Sequence, residues 1–191
     1  MNKKTVALTP EQYRIIVETI KSGFSYAGRE YKPNERIAAA LMMQANLGLR
    51  IGDVVRLKAC DIVKDGDRFR LDIVEQKTGK ARYFTVPAPL VEFIEEYRKR
   101  ANMGEFQRLF AVSDRQIQKH LAAACAFLNL NGISTHSFRK FFATEIYINS
   151  GYNVELVRQL LQHSSAAVTA RYIGIQQKEI EKALNGHICI F

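Results

Sequence analysis

One stretch of this chain breaks the helical spacing that governs the rest. Between Asp65 and Pro87 apolar and polar residues alternate: Phe69, Leu71 and Ile73 form one run, and Tyr83, Thr85 and Pro87 mark a second. Asp65-Gly66-Asp67 and Lys77-Thr78-Gly79-Lys80 supply the turn signals. A period of two sends successive side chains to opposite faces, as a strand requires, and the lysine-rich turn folds the two runs into an antiparallel hairpin. Elsewhere apolar residues recur every three or four positions. The expected fold class is therefore mostly α with a small antiparallel β-sheet, an α+β fold.

The helices carry their own punctuation. Thr9-Pro10-Glu11-Gln12 is a capping box with proline at the first helical position, followed by Tyr13, Ile16, Val17 and Ile20 on one face. Ser22 to Lys32 reads as a loop. A second helix is expected from about Pro33 to Leu47, with Ile37, Ala40, Leu41 and Ala45 inward and Gly48 as its stop. A short helix follows from about Gly52 to Leu57. Pro89 opens a helix that closes near Gly104, and Ser113 with Gln116 caps one running to about Leu128. Further helices are expected over 136–150, stopped by Gly151, and from Asn153 with Val154, Val157, Leu160 and Leu161 inward. A short one over 165–172 and a last one over 176–184 complete the set. There is no internal repeat and no low-complexity linker, so the whole chain, 1–191, reads as a single domain.

Charge narrows the function. The formal net charge is +9 over 191 residues, which points to a polyanionic partner. With 47% apolar residues the chain can bury a core without disulfides. Cys60, Cys125 and Cys189 lie far apart, a pattern unlike a disulfide framework or a zinc site, and it fits a reducing cytoplasm. No run of about 18 apolar residues is present, so no membrane span is expected.

Several side chains suit chemistry on a phosphodiester. Arg50 follows Gly48 at a helix-to-helix corner, and Asp53 is three residues on. Lys77 and Lys80 flank Thr-Gly in the hairpin turn. His136 and Arg139 share one helix face at i and i+3, with Phe138, Phe141 and Phe142 around the other side. His163 and Tyr172 close the series. Taken alone, each piece reads as an ordinary feature: a surface ion pair, a solvated turn, a polar helix face, a core tyrosine.

Their order and spacing, however, resemble the tyrosine recombinase (phage integrase) family over nearly the whole chain, from about Leu8 to Leu184. Gly48-Leu-Arg50-Ile-Gly-Asp53 looks like the family's first arginine with its acidic neighbour. Lys77 in Gln76-Lys-Thr-Gly-Lys80 looks like its β-hairpin lysine, and His136-Ser-Phe-Arg139 like its His-x-x-Arg box. Leu161-Gln-His163 followed by Tyr172 looks like its Leu-Gly-His…Tyr ending, with Gln162 standing where the family usually has glycine.

The resemblance implies a catalytic domain that cuts and rejoins DNA through a 3′-phosphotyrosine, without metal, ATP or other cofactor. Tyr172 would be the nucleophile. Arg50, Arg139 and His163 would hold the phosphate oxygens, His136 would take the phenol proton, Lys77 would protonate the leaving 5′ oxygen, and Asp53 would brace Arg50 or His136. Double-stranded DNA, other protomers in a tetramer and accessory DNA-bending proteins are the partners it implies, with action in the cytoplasm on nucleoid DNA. The catalytic core would span about 8–174. The tail, 175–191, would dock on a neighbouring protomer through Ile180, Ala183 and Leu184, and an N-terminal core-binding domain is expected to be absent. A type IB topoisomerase and a non-cutting DNA-binding regulator on the same fold are the rival readings.

Overall fold

The structure, a computed structural model, describes residues 5–173 together with 185 and 186. The expected last helix over 176–184 and the docking stripe of Ile180, Ala183 and Leu184 lie outside the described residues. The chain divides into two compact units, 1–142 and 143–191.

The first unit begins with α1 (Pro10–Ser22), whose capping box forms as expected: Gln12 N–H donates to Thr9 Oγ1 and Thr9 N–H to Gln12 Oε1, each at 3.1 Å. Its apolar face buries Ile16, Val17 and Ile20. The centre of the unit is α2 (Glu35–Leu47), buried on nearly every side from Ile37 to Leu47. A helix surrounded by other elements has no polar face to keep. The run of small alanines at 38–40 lets neighbours approach it closely. Leu8, Leu41, Leu49, Leu57, Leu71, Phe110, Ile117, Leu121 and Phe138 belong to the same core cluster.

Two sheets are present where one was expected. Phe24–Tyr26 (β1) pairs antiparallel with Arg29–Tyr31 (β2) inside the segment read as a loop. Its turn residues, Ala27 and Gly28, have φ of 50° and 73°, the conformation of the tightest hairpins. Ala-Gly lacks the asparagine or aspartate that usually signals such a turn, and strands of three residues are too short to display alternation. Phe24 and Tyr31 stack at 4.6 Å between ring centres and anchor the hairpin.

The second sheet has three strands in the order β3-β4-β5 (Ile62–Asp65, Arg68–Val74, Ala81–Val86), all antiparallel. The Asp65-Gly66-Asp67 turn thus joins two strands rather than preceding the first. The parity of β5 also differs from expectation. Tyr83 and Thr85 face solvent, whereas Arg82, Phe84 and Val86 point inward. The remaining helices of this unit are α3 (Ile51–Val54), α4 (Ala88–Arg100) and α5 (Asp114–Phe127), the last with the expected Ser113–Gln116 box. Helix α6 (Thr135–Asn149) begins here.

The second unit contains the rest of α6, then α7 (Val154–Leu161), capped by Asn153 Oδ1 accepting from Leu156 N–H at 2.9 Å, and α8 (Ala166–Ile173). Val157 and Leu161 are its buried α7 side chains. Among the described residues no helix is long and apolar enough to cross a membrane.

Candidate active site

The corner that carries Arg50 is held at three points. Gly48 adopts φ +60°, and its N–H donates to Gln44 O at 3.0 Å. Buried Gln44 Nε2 donates to Leu49 O at 3.2 Å. Arg139 Nη1, from α6, donates to Gly48 O at 2.6 Å. A β-carbon on Gly48 would lie 2.3 Å from the Phe142 ring, so the corner and α6 pack too closely for any side chain at this position. Arg50 leaves this corner as the residue before α3.

The guanidinium of Arg50 meets the carboxylate of Glu75, at the end of β4. Glu75 is fully buried and gathers two further donors and one more distant cation. Arg82 Nη1 reaches its Oε1 at 3.2 Å, Arg139 Nη1 lies 4.0 Å from the same oxygen, and Thr78 Oγ1 donates to Oε2 at 2.8 Å. Burial pushes the Glu75 pKa up, but the Thr78 hydrogen bond and the charges of Arg50 and Arg82 outweigh it and hold it below the usual carboxylate range. Arg82 has 1% of its side chain exposed. Burial and the neighbouring charge of Arg139 push its pKa down to about 10. Its Nε and Nη2 meet no acceptor among the described residues.

Asp53 serves a different purpose from the one expected. Its Oδ1 accepts from Arg56 Nη2 at 2.8 Å and from the Gln76 backbone N–H at 2.9 Å. It therefore ties α3 to the start of the Lys77 turn, and the carboxylate on Arg50 is that of Glu75. Arg50, Arg82 and Arg139 thus gather around the carboxylate of Glu75, and Arg56 pairs with Asp53.

Lys77 sits exposed in the turn between β4 and β5. Glu75 N–H donates to Lys80 O, and Gly79 N–H to Glu75 O, both at 2.9 Å, which closes the turn; Gly79 takes φ +64° within it. His136 is exposed at the first turn of α6. Partial burial of its ring, then the charges of Arg139, Arg50, Lys140 and Lys77, push its pKa below the ordinary 6.5. Arg139 itself is 2% exposed. It lies on the same helix side as buried Phe138 and Phe142, not on a solvated polar face.

In the second unit His163 and Tyr172 are neighbours, with ring centres 5.1 Å apart and nearly perpendicular. Helix α7 ends at Gln162, whose φ of 54° is left-handed, and His163 N–H closes on Arg158 O at 3.0 Å. The His163 Nδ1 lies 3.1 Å from the hydroxyl of fully buried Thr169, one turn before Tyr172 on α8. That hydroxyl also donates to Ser165 O at 3.3 Å.

The structure thus brings Arg50, Asp53, Lys77, His136 and Arg139 together in the first unit, and His163 and Tyr172 together in the second. Sequence reasoning missed Glu75, Arg82, Thr78 and Thr169. The signal for Arg82 was present: it shares strand parity with Phe84 and Val86, and an arginine on an apolar parity has to find a buried counter-charge. Neither Thr169 nor Glu75 carries a comparable mark.

The sequence profile described as the phage integrase family matches residues 7–179. The chain belongs to the phage integrase family. Among its relatives, the probable integrase/recombinase YoeC of Bacillus subtilis is 33% identical over 151 residues, covering 75% of this chain and 80% of that protein. The tyrosine recombinase XerA of Pyrococcus furiosus is 25% identical over 186 residues, covering 93% of this chain and 60% of that one. The integrase fold is matched in solved structures. The catalytic domain of bacteriophage HP1 integrase superposes with a TM-score of 0.66 at 17% identity, covering 96% of each chain. XerH bound to palindromic difH substrate after cleavage gives 0.68 at 20% identity, covering 96% of this chain and 53% of that one. The chain therefore spans most of YoeC and HP1 integrase's catalytic domain, but little more than half of XerA and XerH.

Proposed function

We propose that this chain is the catalytic domain of a site-specific tyrosine recombinase, with about 8–174 as its core, which cuts and rejoins double-stranded DNA through a 3′-phosphotyrosine. The observation that carries the reading is the convergence of Arg50 and Arg139 on Glu75. Two guanidinium groups held beside one corner suit a phosphodiester whose negative charge grows in the transition state.

On this reading Arg50, Arg139 and His163 bind the non-bridging oxygens of the scissile phosphate. The Tyr172 hydroxyl oxygen attacks phosphorus; the new Oη–P bond forms as the bond to the 5′ oxygen breaks. His136, whose pKa is pushed below the ordinary 6.5 by partial burial and then by its cationic neighbours, takes the phenol proton. Lys77 gives a proton to the departing 5′ oxygen. Asp53 supports the site indirectly, through the backbone of the Lys77 turn. The reverse reaction with a different 5′ hydroxyl rejoins the strand, so bond energy is retained in the phosphotyrosine. Neighbouring protomers would assemble on the DNA as a tetramer, with the 175–191 tail as the exchanged segment. Action on nucleoid DNA in the cytoplasm, with accessory DNA-bending proteins, completes the reading.

The test is a suicide substrate nicked close to the cleavage point, which releases a short fragment and traps the adduct. The expected outcome is a covalent protein–DNA species with the wild-type chain and none with Tyr172→Phe. An adduct that persists in Tyr172→Phe overturns the assignment of the nucleophile. Relaxation of supercoiled plasmid with no strand exchange would move the chain to topoisomerase chemistry.

A further inference from the structure

We propose that Glu75 is a positioning residue that sets the two phosphate-binding arginines and the lysine turn in one register; this rests on the roles given above to Arg50, Arg139 and Lys77. Glu75 stands at the junction of two devices. Its side chain, with none of its surface exposed, receives Arg50 and Thr78 on Oε2 and Arg82 on Oε1, with Arg139 Nη1 4.0 Å from Oε1 as an ion pair. Its main chain closes the 75–80 turn in both directions, through Glu75 N–H to Lys80 O and Gly79 N–H to Glu75 O. One residue therefore fixes where the guanidinium groups point and where the turn bearing Lys77 begins. Thr78, the residue after Lys77, makes the link from the turn's side: its hydroxyl donates to the same carboxylate oxygen that Arg50 meets.

Arg82 makes this arrangement possible. A lone carboxylate between Arg50 and Arg139 could swing toward either. The buried Arg82 holds Oε1 from the strand β5 side, so that Oε2 remains directed at Arg50 and Thr78. Charge-assisted hydrogen bonds from separate guanidinium groups to the two oxygens of one carboxylate are directional as well as attractive, which is what a positioning role needs. Glu75 does not touch DNA on this account. It acts on the phosphate through the arginines, and on the leaving group through the turn.

The experiment is single-turnover cleavage of the nicked substrate by the full chain, with two forms of the scissile linkage. One is the ordinary phosphodiester. The other is a 5′-bridging phosphorothiolate, whose thiolate leaves without needing a proton. Glu75→Gln keeps the shape and removes the charge. It is expected to slow cleavage of the phosphodiester about 100-fold at saturating DNA, the scale of a small misplacement of catalytic groups. Its DNA dissociation constant is expected to stay within about threefold of wild type, since the arginines keep their charge. The phosphorothiolate should restore only part of the rate, because the arginines are displaced as well as the lysine.

Thr78→Val leaves the carboxylate and its three arginines in place and cuts the tie to the turn, together with the long 3.4 Å bond from Lys80 N–H to the same hydroxyl, so it answers the question even if Glu75→Gln fails to fold. It is expected to cleave the phosphodiester about tenfold more slowly, the scale of one hydrogen bond, and to match wild type on the phosphorothiolate. Lys77→Ala is the control and should be rescued by the sulfur substrate. If Lys77→Ala is rescued and Thr78→Val is equally slow on both linkages, the positioning role of Glu75 is refuted while the recombinase reading stands. A Glu75→Gln chain that cleaves at the wild-type rate refutes it too. No Tyr172 adduct from the wild-type chain would instead remove the recombinase reading, and this proposal with it.

Discussion

Arg139 Nη1 and Gly48 O meet at 2.6 Å across 91 residues of sequence, and this bond places α6 against the corner that presents Arg50. One of the two arginines thereby supports the backbone of the other. The corner depends on Gly48 twice, once for its left-handed φ of +60° and once for the absence of a β-carbon against Phe142. Gly48→Ala is expected to destabilise the fold by about 2–4 kcal/mol, combining left-handed backbone strain with overpacking. For a chain of this size that lowers Tm on the order of 10 °C, readable by calorimetry. A melting temperature within a degree of wild type would mean that the corner can relax away from α6.

His136 should govern the acid side of the pH profile. Its pKa lies below the ordinary 6.5 in the folded protein, because part of the ring is buried and Arg139, Arg50, Lys140 and Lys77 surround it. As pH falls below 6.5, the unfolded chain takes up this proton before the folded one does. Folding stability contributed at this site is therefore present at higher pH and declines as pH falls through that window. In His136→Gln that part of the decline should vanish. Wild-type cleavage should fall over the lower part of the same window, as the base becomes protonated. An NMR titration of the His136 ring with a midpoint above 6.5 in DNA-free protein would contradict the electrostatic account.

Much of this architecture could be read from the sequence because its signals are local. The Thr9–Gln12 and Ser113–Gln116 boxes, the Gly48 stop and the Asn153 cap each act within one turn of chain, and each appears where its residues stand. The β1–β2 hairpin escaped because Ala27-Gly28 is an atypical turn and its strands are short. The Glu75 cluster escaped for a different reason. Its members are brought together by the β4–β5 register and by α6, and no spacing along the chain announces a carboxylate whose partners are 7, 25 and 64 residues away. Asp53 shows the same effect in reverse: nearness in sequence suggested Arg50, whereas geometry gives Arg56 and the Gln76 amide.

Gln162 offers a test of helix termination. It occupies the left-handed position after α7, φ 54°, where glycine is free of the β-carbon penalty. Gln162→Gly is expected to stabilise the chain by up to about 1 kcal/mol, the usual size of that penalty. Urea unfolding with a raised midpoint and an unchanged slope would register the gain. A loss of stability would show that the Gln162 side chain contributes more than its backbone strain costs.

Salt should weaken DNA binding steeply, because phosphate contacts by Lys and Arg release counterions. The net charge of +9 leads to an increase in the dissociation constant of at least roughly 30-fold between 50 and 200 mM salt. Lys77→Ala should lower the logarithmic slope by about one, as expected for one lost phosphate contact. Filter binding over that range measures both quantities. A flat response would argue that the positive charge is structural and faces no polyanion.

The last prediction concerns how the second unit orients its imidazole. Thr169 is fully buried, its hydroxyl donates to Ser165 O, and His163 Nδ1 lies 3.1 Å from the same oxygen. The contact with this hydroxyl sets the plane of the His163 ring. Thr169→Val keeps the volume and removes the hydroxyl, so the His163 ring loses this contact. Cleavage of the nicked substrate should fall about tenfold, the cost of one hydrogen bond that orients a reacting group. Thr169→Ser retains the hydroxyl and should recover most of the rate even though it leaves a small void. Equal losses in Val and Ser would trace the defect to packing, and the anchoring of His163 by Thr169 would have to be abandoned.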